Sequence, residues 1–429
     1  MTAAETKLLG RLQRDSFNYF VHHTNPANGL VRDKSKKGWP ASIAAVGLAL
    51  ASYPVGVKRG FLTREVAVQW TIATLRFFAR APHGRAADAT GHRGFYYHFL
   101  DMETGRRAHQ SELSSVDTAF LLAGMLAAAA YFGRVTEEED EIRRLAHALY
   151  RKADWQWMQN GAAALSHGWT PEKGFLRYRW HGYDEALIIY LLGLGSPTHP
   201  LPVESYWAWA STYKWKKLYD IEFLHAGPLF IHQLSHVWID FRDIRDDFMA
   251  RHGLDYFENS RRATIVQQRY AIRNPRGFSH YDACCWGITA SDGPGPGTRV
   301  VNGKKQVFYD YIARGVPFGP DDGTLAPWAV VASLPFAPEI VLRTIQNYER
   351  MDLESSRSFG YKASFNPTFM VQPKHEHGWV SPYNYGLNQG PIVLMIENHR
   401  SGFLWSLMRQ CPYLVTGLRR AGFTGGWLE

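Results

Sequence analysis

The sequence predicts an all-α protein, and three observations predict it. Apolar residues recur at helical spacing about a dozen times along 429 residues. Only two short stretches, 94–100 and 306–312, have the β-branched and aromatic character of strands. No Ser/Gly-rich linker or change in composition divides the chain, so 1–429 is read as one domain despite a length that often splits in two.

Helices are expected in order over 5–22, 41–52, 63–80, 114–132, 136–149, 183–193, 226–237, 240–251, 258–272, 326–334, 337–350 and 389–409. In 63–80, Val68, Ile72, Leu75 and Phe78 follow one another at steps of four, three and three, which is one helix face. Thr136 and Glu139 form a capping box, and the acidic run Glu137–Glu141 complements the positive end of the helix that follows. Between the helices lie Gly/Pro-rich loops at 274–277, 291–298 and 318–323. A dozen helices can pair into six hairpins and close into an (α/α)6 toroid with a cleft at its loop end. Periodicity alone does not close the ring.

Composition excludes several function classes. Hydrophobic residues make up 45% and charged residues 20%, ordinary globular values. Lys and Arg exceed Asp and Glu by 48 to 39 without forming a block, so no nucleic-acid partner is expected. The longest apolar stretch, 120–132, is too short to cross a bilayer, and no membrane partner is expected. The first twenty residues lack the pattern of a secretory signal, from which a cytoplasmic location is expected, or a periplasmic one if that start is already processed. Oligomeric state is not legible. Cys284, Cys285 and Cys411 give neither zinc spacing nor a disulfide framework. The 15 Trp, 22 Tyr and 24 Phe exceed what packing requires and suit stacking on sugar rings, though burial uses them equally well.

With no GxSxG elbow, no phosphate-binding loop and no reactive cysteine context, carboxylate chemistry remains. Glu185 enters a strongly apolar segment beside Trp180, Tyr183 and Asp184. A carboxyl desolvated among aromatics is raised in pKa and suits a general acid. Side chains of adjacent helical residues diverge by about 100°, so only one of Asp184 and Glu185 would face a cavity, and both could instead serve the helix dipole. Asp117, with Glu112 before it, is a candidate for activating water or binding hydroxyls; equally, Ser114 and Asp117 have the spacing of a capping box. Asp292, Asp321 and Asp322 lie in turn-rich loops where Asx-turns are the simpler role. His232 and His236 are four apart, but Gln233 stands where a zincin needs Glu, so no metal and no cofactor is expected. The charges Asp240, Arg242, Asp243 and Arg245 beside Trp238 read as a buried network, and Cys284–Cys285 beside Trp286 as core.

Seven segments in one order give the chain a further meaning: ELSSVDTAFLLAG (112–124), GYDEALIIYLLGLGSPTHP (182–200), HQLSHVWIDFRDIRD (232–246), DYFENSRRAT (255–264), WGITASDGPG (286–295), DGTLAPWAVVASLPFAPE (322–339) and NQGPIVLMIENHRSG (388–402). Together with a weaker match at 17–33, they resemble the bacterial glucoamylase-like proteins that include β-1,2-glucanases, glycoside hydrolases built as an α/α six-hairpin barrel. The resemblance implies cleavage, or transfer, of β-1,2-linked glucan or sophoro-oligosaccharides by two carboxyl groups. It places the proton donor at Glu185 and the partner carboxyl among Asp117, Glu112, Asp292 and Asp322. As sugar-binding residues it implies Trp180, Tyr183, Asp184, His232, Trp238, Trp286, Asp292, Asp322, Asn388 and Gln389. Two positions depart from the family pattern, Asn388 and Ala363, where acids are expected. An amide cannot serve as a base, so a glycan-binding barrel that has lost its base is the non-enzymatic alternative. The loop 370–385, with Lys374, His375, Glu376 and His377, is a candidate for compensating.

Overall fold

The computed structural model describes residues 2–301, 303–351, 353, 359–371 and 377–429. Helices dominate, and most stand where the period puts them: Ala3–His23, Ile43–Arg59, Arg64–Arg80, Ser115–Tyr131, Glu137–Arg151, Tyr256–Arg273, Pro327–Ala332 and Pro338–Arg350. Val68, Ile72, Leu75 and Phe78 are the buried face of their helix. Thr136 caps its helix by accepting from the Glu139 amide, and Glu139 in turn binds Arg64.

Four expected helices differ, each for a local reason. The segment 183–193 begins its helix only at Leu187–Leu194, because the Asp184 carboxylate accepts from the Ala186 amide and holds 184–186 in a turn. The segment 240–251 is helical only at Asp247–Ala250: Asp240 captures the amide and guanidinium of Arg242, Asp243 sits at φ 63°, and Asp246 caps what remains. The segment 226–237 is a 3-10 turn, Leu229–His232, followed by Leu234–Trp238. Gly402, at φ 62°, divides 389–409 into Gly386–Ser401 and Phe403–Met408. Short helices at Trp155–Gln159 and Val203–Ala210, and a longer one at Pro412–Arg420, complete the described set.

The chain forms two compact units, each assembled from three separated segments. The first comprises Met1–Tyr19, Lys214–Leu234 and Phe257–Arg400. In it buried Gln13, on the N-terminal helix, donates to the Val393 carbonyl and to Glu397. Two hairpins belong to this unit: Trp215–Leu218 with Ile221–Leu224, which buries Phe223 and Leu224, and the largely exposed Gly297–Val301 with Lys304–Phe308.

The second comprises Phe20–Tyr213, Ser235–Tyr256 and Ser401–Glu429. Its centre is the pair Ile43–Arg59 and Ser115–Tyr131, which meet backbone to backbone. A Cβ on Gly47 would lie 2.2 Å from the Phe120 carbonyl oxygen, and one on Gly124 would lie 2.1 Å from that of Gly47. Against this pair the all-α expectation gains a small antiparallel sheet of order Gly91–His92, Phe95–Tyr97, Leu113–Ser114, Gly168–Thr170 and Gly174–Phe175. Of the expected strand-like stretch 94–100, Phe99–Leu100 pairs separately with Ala41–Ser42, while Phe95–Tyr97 belongs to this sheet. Its other strands, two or three residues long, are too short for a period to reveal. No helix among the described residues is long and apolar enough to cross a membrane.

Candidate active site

The sheet and the helix that follows it place one cluster of acids. The register Tyr97↔Leu113 sets His98 opposite Glu112, and the His98 amide donates to the Glu112 carbonyl. Two residues on, Ser114 caps Ser115–Tyr131 by accepting from the Asp117 amide, while its hydroxyl donates to the Asp117 carboxylate. The capping role and the site role of Asp117 therefore coexist. A carboxylate in the first turn of a helix also meets the positive end of the dipole. Glycine at 168 is required here, since a Cβ would come 2.3 Å from the Leu113 carbonyl and 3.0 Å from Cγ of Glu112.

His98 joins the two acids, with Nδ1 3.1 Å from Oε1 of Glu112 and 3.7 Å from Oδ2 of Asp117. Burial opposes charge on this imidazole, but Asp117, Glu112 and Asp33 outweigh it and push its pKa up to about 9. Glu112 is itself desolvated, yet the bond and charge of His98 hold it below the ordinary range. Asp33 contributes from the loop after the first helix. Burial pushes it up to about 6, against the pull of His98 and the indole of Trp39, which donates at 3.1 Å. Neither His98 nor Asp33 was singled out from the sequence. Asp33 closes the weaker matching segment and His98 lies in the strand-like stretch, so the only signal was their position.

Asp184 and Glu185 lie in the turn before Leu187–Leu194, so the divergence expected of neighbours on a helix does not apply to them. The Asp184 carboxylate is anchored, accepting from the Trp209 indole at 2.9 Å and the Ala186 amide at 3.0 Å. Burial raises both acids well above the usual carboxyl range, with Trp209 and Ala186 opposing it at Asp184 and the charges of Asp184 and then Asp117 adding to it at Glu185. Beside them Trp180 is buried, stacked on His167 with centroids 3.8 Å apart, and its indole donates to Ser115. Tyr183 is buried against Tyr213 and Tyr256. Thus Glu112, Asp117, Trp180, Tyr183, Asp184 and Glu185 belong to one unit, and Asp117 acts electrostatically on Glu185. Trp238 is in the same unit but fully buried. Of Asp240, Arg242, Asp243 and Arg245, only Asp240 is buried; Arg242 and Arg409 bind it from the surface, so the expected buried network is reduced to that one carboxylate.

The remaining candidates lie in the other unit. Asp292 is buried and accepts from Ser381 at 2.9 Å and Tyr385 at 2.6 Å. Both oxygens of Asp322 bind the fully buried guanidinium of Arg314, at 2.8 and 2.9 Å, and Asp322 also closes an Asx-turn onto Thr324. Asp321 closes another onto Gly323. His232 is buried, kept neutral by burial with a pKa lowered to about 3, and bonded to the Ala226 carbonyl. Trp286 donates to Thr344 and Gln389 to the Tyr361 carbonyl, both fully enclosed. Asn388 and Ala363 are buried too. Lys374, His375 and Glu376 lie outside the described residues.

Chemically, the unit sets a carboxyl raised by burial, Glu185, beside a cluster in which His98 holds Glu112 below its ordinary range, the division that acid–base catalysis needs. Among the described residues, His98, Glu112 and Asp117 also bring three donor atoms within 4.8 Å of one another, a spacing a cation could use. Here Nδ1 of His98 bonds Glu112, and Oδ2 of Asp117 accepts from the Ser114 hydroxyl.

The family model Glycoamylase, described as "Putative glucoamylase", matches residues 177–412, more than half of the chain. The exo β-1,2-glucooligosaccharide sophorohydrolase (non-reducing end) of Parabacteroides distasonis is 27% identical over 97% of this chain and 58% of its own length. The chain thus spans little more than half of that relative. A solved structure from Bacteroides uniformis, described as a "putative glucoamylase", is 30% identical with a TM-score of 0.87 and full coverage of both chains. A β-1,2-glucanase from Parabacteroides distasonis gives a TM-score of 0.85 at 26% identity, covering 98% of this chain and 60% of that one. On its sequence and its fold alike, the chain belongs to the glycoamylase family of glucoamylase-like proteins.

Proposed function

We propose that the protein is a glycoside hydrolase that cleaves β-1,2-linked glucan or sophoro-oligosaccharides, with Glu185 as the general acid. The observation that carries this is the desolvated Glu185, raised in pKa beside Asp184 and within reach of the charge of Asp117. A carboxyl that keeps its proton near neutral pH can give it to a glycosidic oxygen as the bond breaks. Glu112, held ionised by His98, and Asp117 are the candidates for the second carboxyl. The names of the relatives support the linkage. Asp322, with both oxygens on Arg314, is set aside as a base. Trp180, Tyr183 and Asp184 are kept as the wall of the sugar site. We also keep the (α/α)6 ring as a proposal, supported by the helix pairing within the second unit.

The test is reducing-end release from linear β-1,2-glucan, with β-1,3-, β-1,4- and α-1,4-glucans beside it. Wild type is expected to cleave the β-1,2 polymer alone, and Glu185→Gln to lose that activity by about 100-fold or more. Full activity in Glu185→Gln would remove the assignment. Products that lengthen when acceptor is added would make the enzyme a transglycosylase. Polymer bound but never cleaved would favour the glycan-binding reading.

A further inference from the structure

His98 is in direct contact with two acids of the second unit's cluster, Glu112 and Asp117. Its ring lies flat on Phe99, with centroids 4.0 Å apart and planes 13° apart, so it cannot swing without losing that contact. Its Nδ1–H donates to Glu112 across the sheet register and faces Asp117 at the start of the helix. Asp33 approaches from the loop after the first helix. Behind these, Arg107 acts on Glu112 while paired with Glu172, the neutral-favouring His167 lies near Glu112, and Lys34 acts on Asp33. Beyond Asp117 come the raised acids Asp184 and Glu185. His98 thus contacts two of five carboxyl groups linked through their charges in this unit.

We propose that His98 is a positioning residue of the reaction: lodged between Glu112 and Asp117 and stacked on Phe99, it fixes both carboxylates in place. The proposal rests on the hydrolase reading and extends it. Without the bond and charge of His98, Glu112 would rise from its lowered range, and the cluster would lose the contrast between a raised Glu185 and a lowered Glu112. Burial alone would leave the imidazole neutral, so its charge depends on the acids as that of Glu112 depends on it.

The experiment measures kcat/KM on β-1,2-glucan against pH for wild type, His98→Asn and His98→Lys, with circular dichroism to establish folding. In His98→Asn the acidic limb is expected to move up by roughly one pH unit or more, and His98→Lys, which restores a cation, to move it back. A folded His98→Asn that loses rate equally at every pH, or keeps the wild-type profile, overturns the proposal. The His98 ring is also titrated by NMR in the wild-type chain, Glu112→Gln and Asp117→Asn. Charge held past pH 8 in the wild type, and released earlier in both variants, supports the clamp even if His98→Asn fails to fold. An ordinary titration near 6.5 overturns it, whether or not any glucan is cleaved. Absence of cleavage by the wild type would instead count against the hydrolase reading, so the two failures are distinct.

Discussion

Glu185 and Asp184 are neighbours in sequence with opposite kinds of environment. Asp184 is tied by the Trp209 indole and the Ala186 amide, whereas burial and the charges of Asp184 and Asp117 favour the proton on Glu185. Asp184→Asn removes a like charge and must lower the Glu185 pKa. The basic limb of the kcat/KM profile is therefore expected to shift to lower pH, and an unmoved limb would show that Asp184 does not tune the acid. Glu185 was legible in the sequence because an acid stands out against LIIYLLGLG. His98 was not, because its role depends on an antiparallel register that sets it opposite a residue fourteen positions away. A lone histidine in a strand-like stretch carries no mark of that pairing.

Helices were the most legible elements, since a face such as Val68, Ile72, Leu75 and Phe78 is written directly in the spacing. They failed where side chains competed for the backbone, as Asp240 does for Arg242 and Asp184 for Ala186. How closely two helices approach was hidden as well, because it depends on glycines that meet only in the fold. Gly47 and Gly124 touch across one helix pair. In another, a Cβ on Gly195 would lie 1.9 Å from the Tyr413 carbonyl and one on Gly417 the same distance from that of Leu191. Since backbone cannot give way as a side chain can, Gly124→Ala is expected to cost roughly 1–3 kcal/mol or more, read as a lower denaturant midpoint. Gly133→Ala, at a site with open space, serves as the control and should leave the midpoint nearly unchanged.

Across the molecule, buried carboxyls divide into those that stabilise and those held for chemistry, and stability should separate them. Asp322 is fully buried on Arg314, which keeps its pKa below the usual range despite desolvation. Its contribution is present above the ordinary carboxyl pKa and is lost as pH falls through the lowered one. Asp322→Asn at neutral pH leaves Arg314 buried without its counter-charge and is expected to cost about 3–5 kcal/mol. Glu185 has the opposite sign, because its folded pKa is raised: it favours the fold at low pH, and that benefit fades as pH rises from the ordinary carboxyl value to the raised one. Glu185→Gln is therefore expected to match or exceed wild type in thermal stability at neutral pH, and a lower Tm would show that Glu185 is structural instead. By itself the sequence determined the helical character and the capping residues, since each depends on spacing or composition within a few residues, and it singled out Glu185 as an acid set against an apolar segment. Only the tertiary structure decided which titratable groups are raised, because burial and charge at Glu185, Asp33 and His98 arise largely from segments that are distant in the chain and adjacent in space.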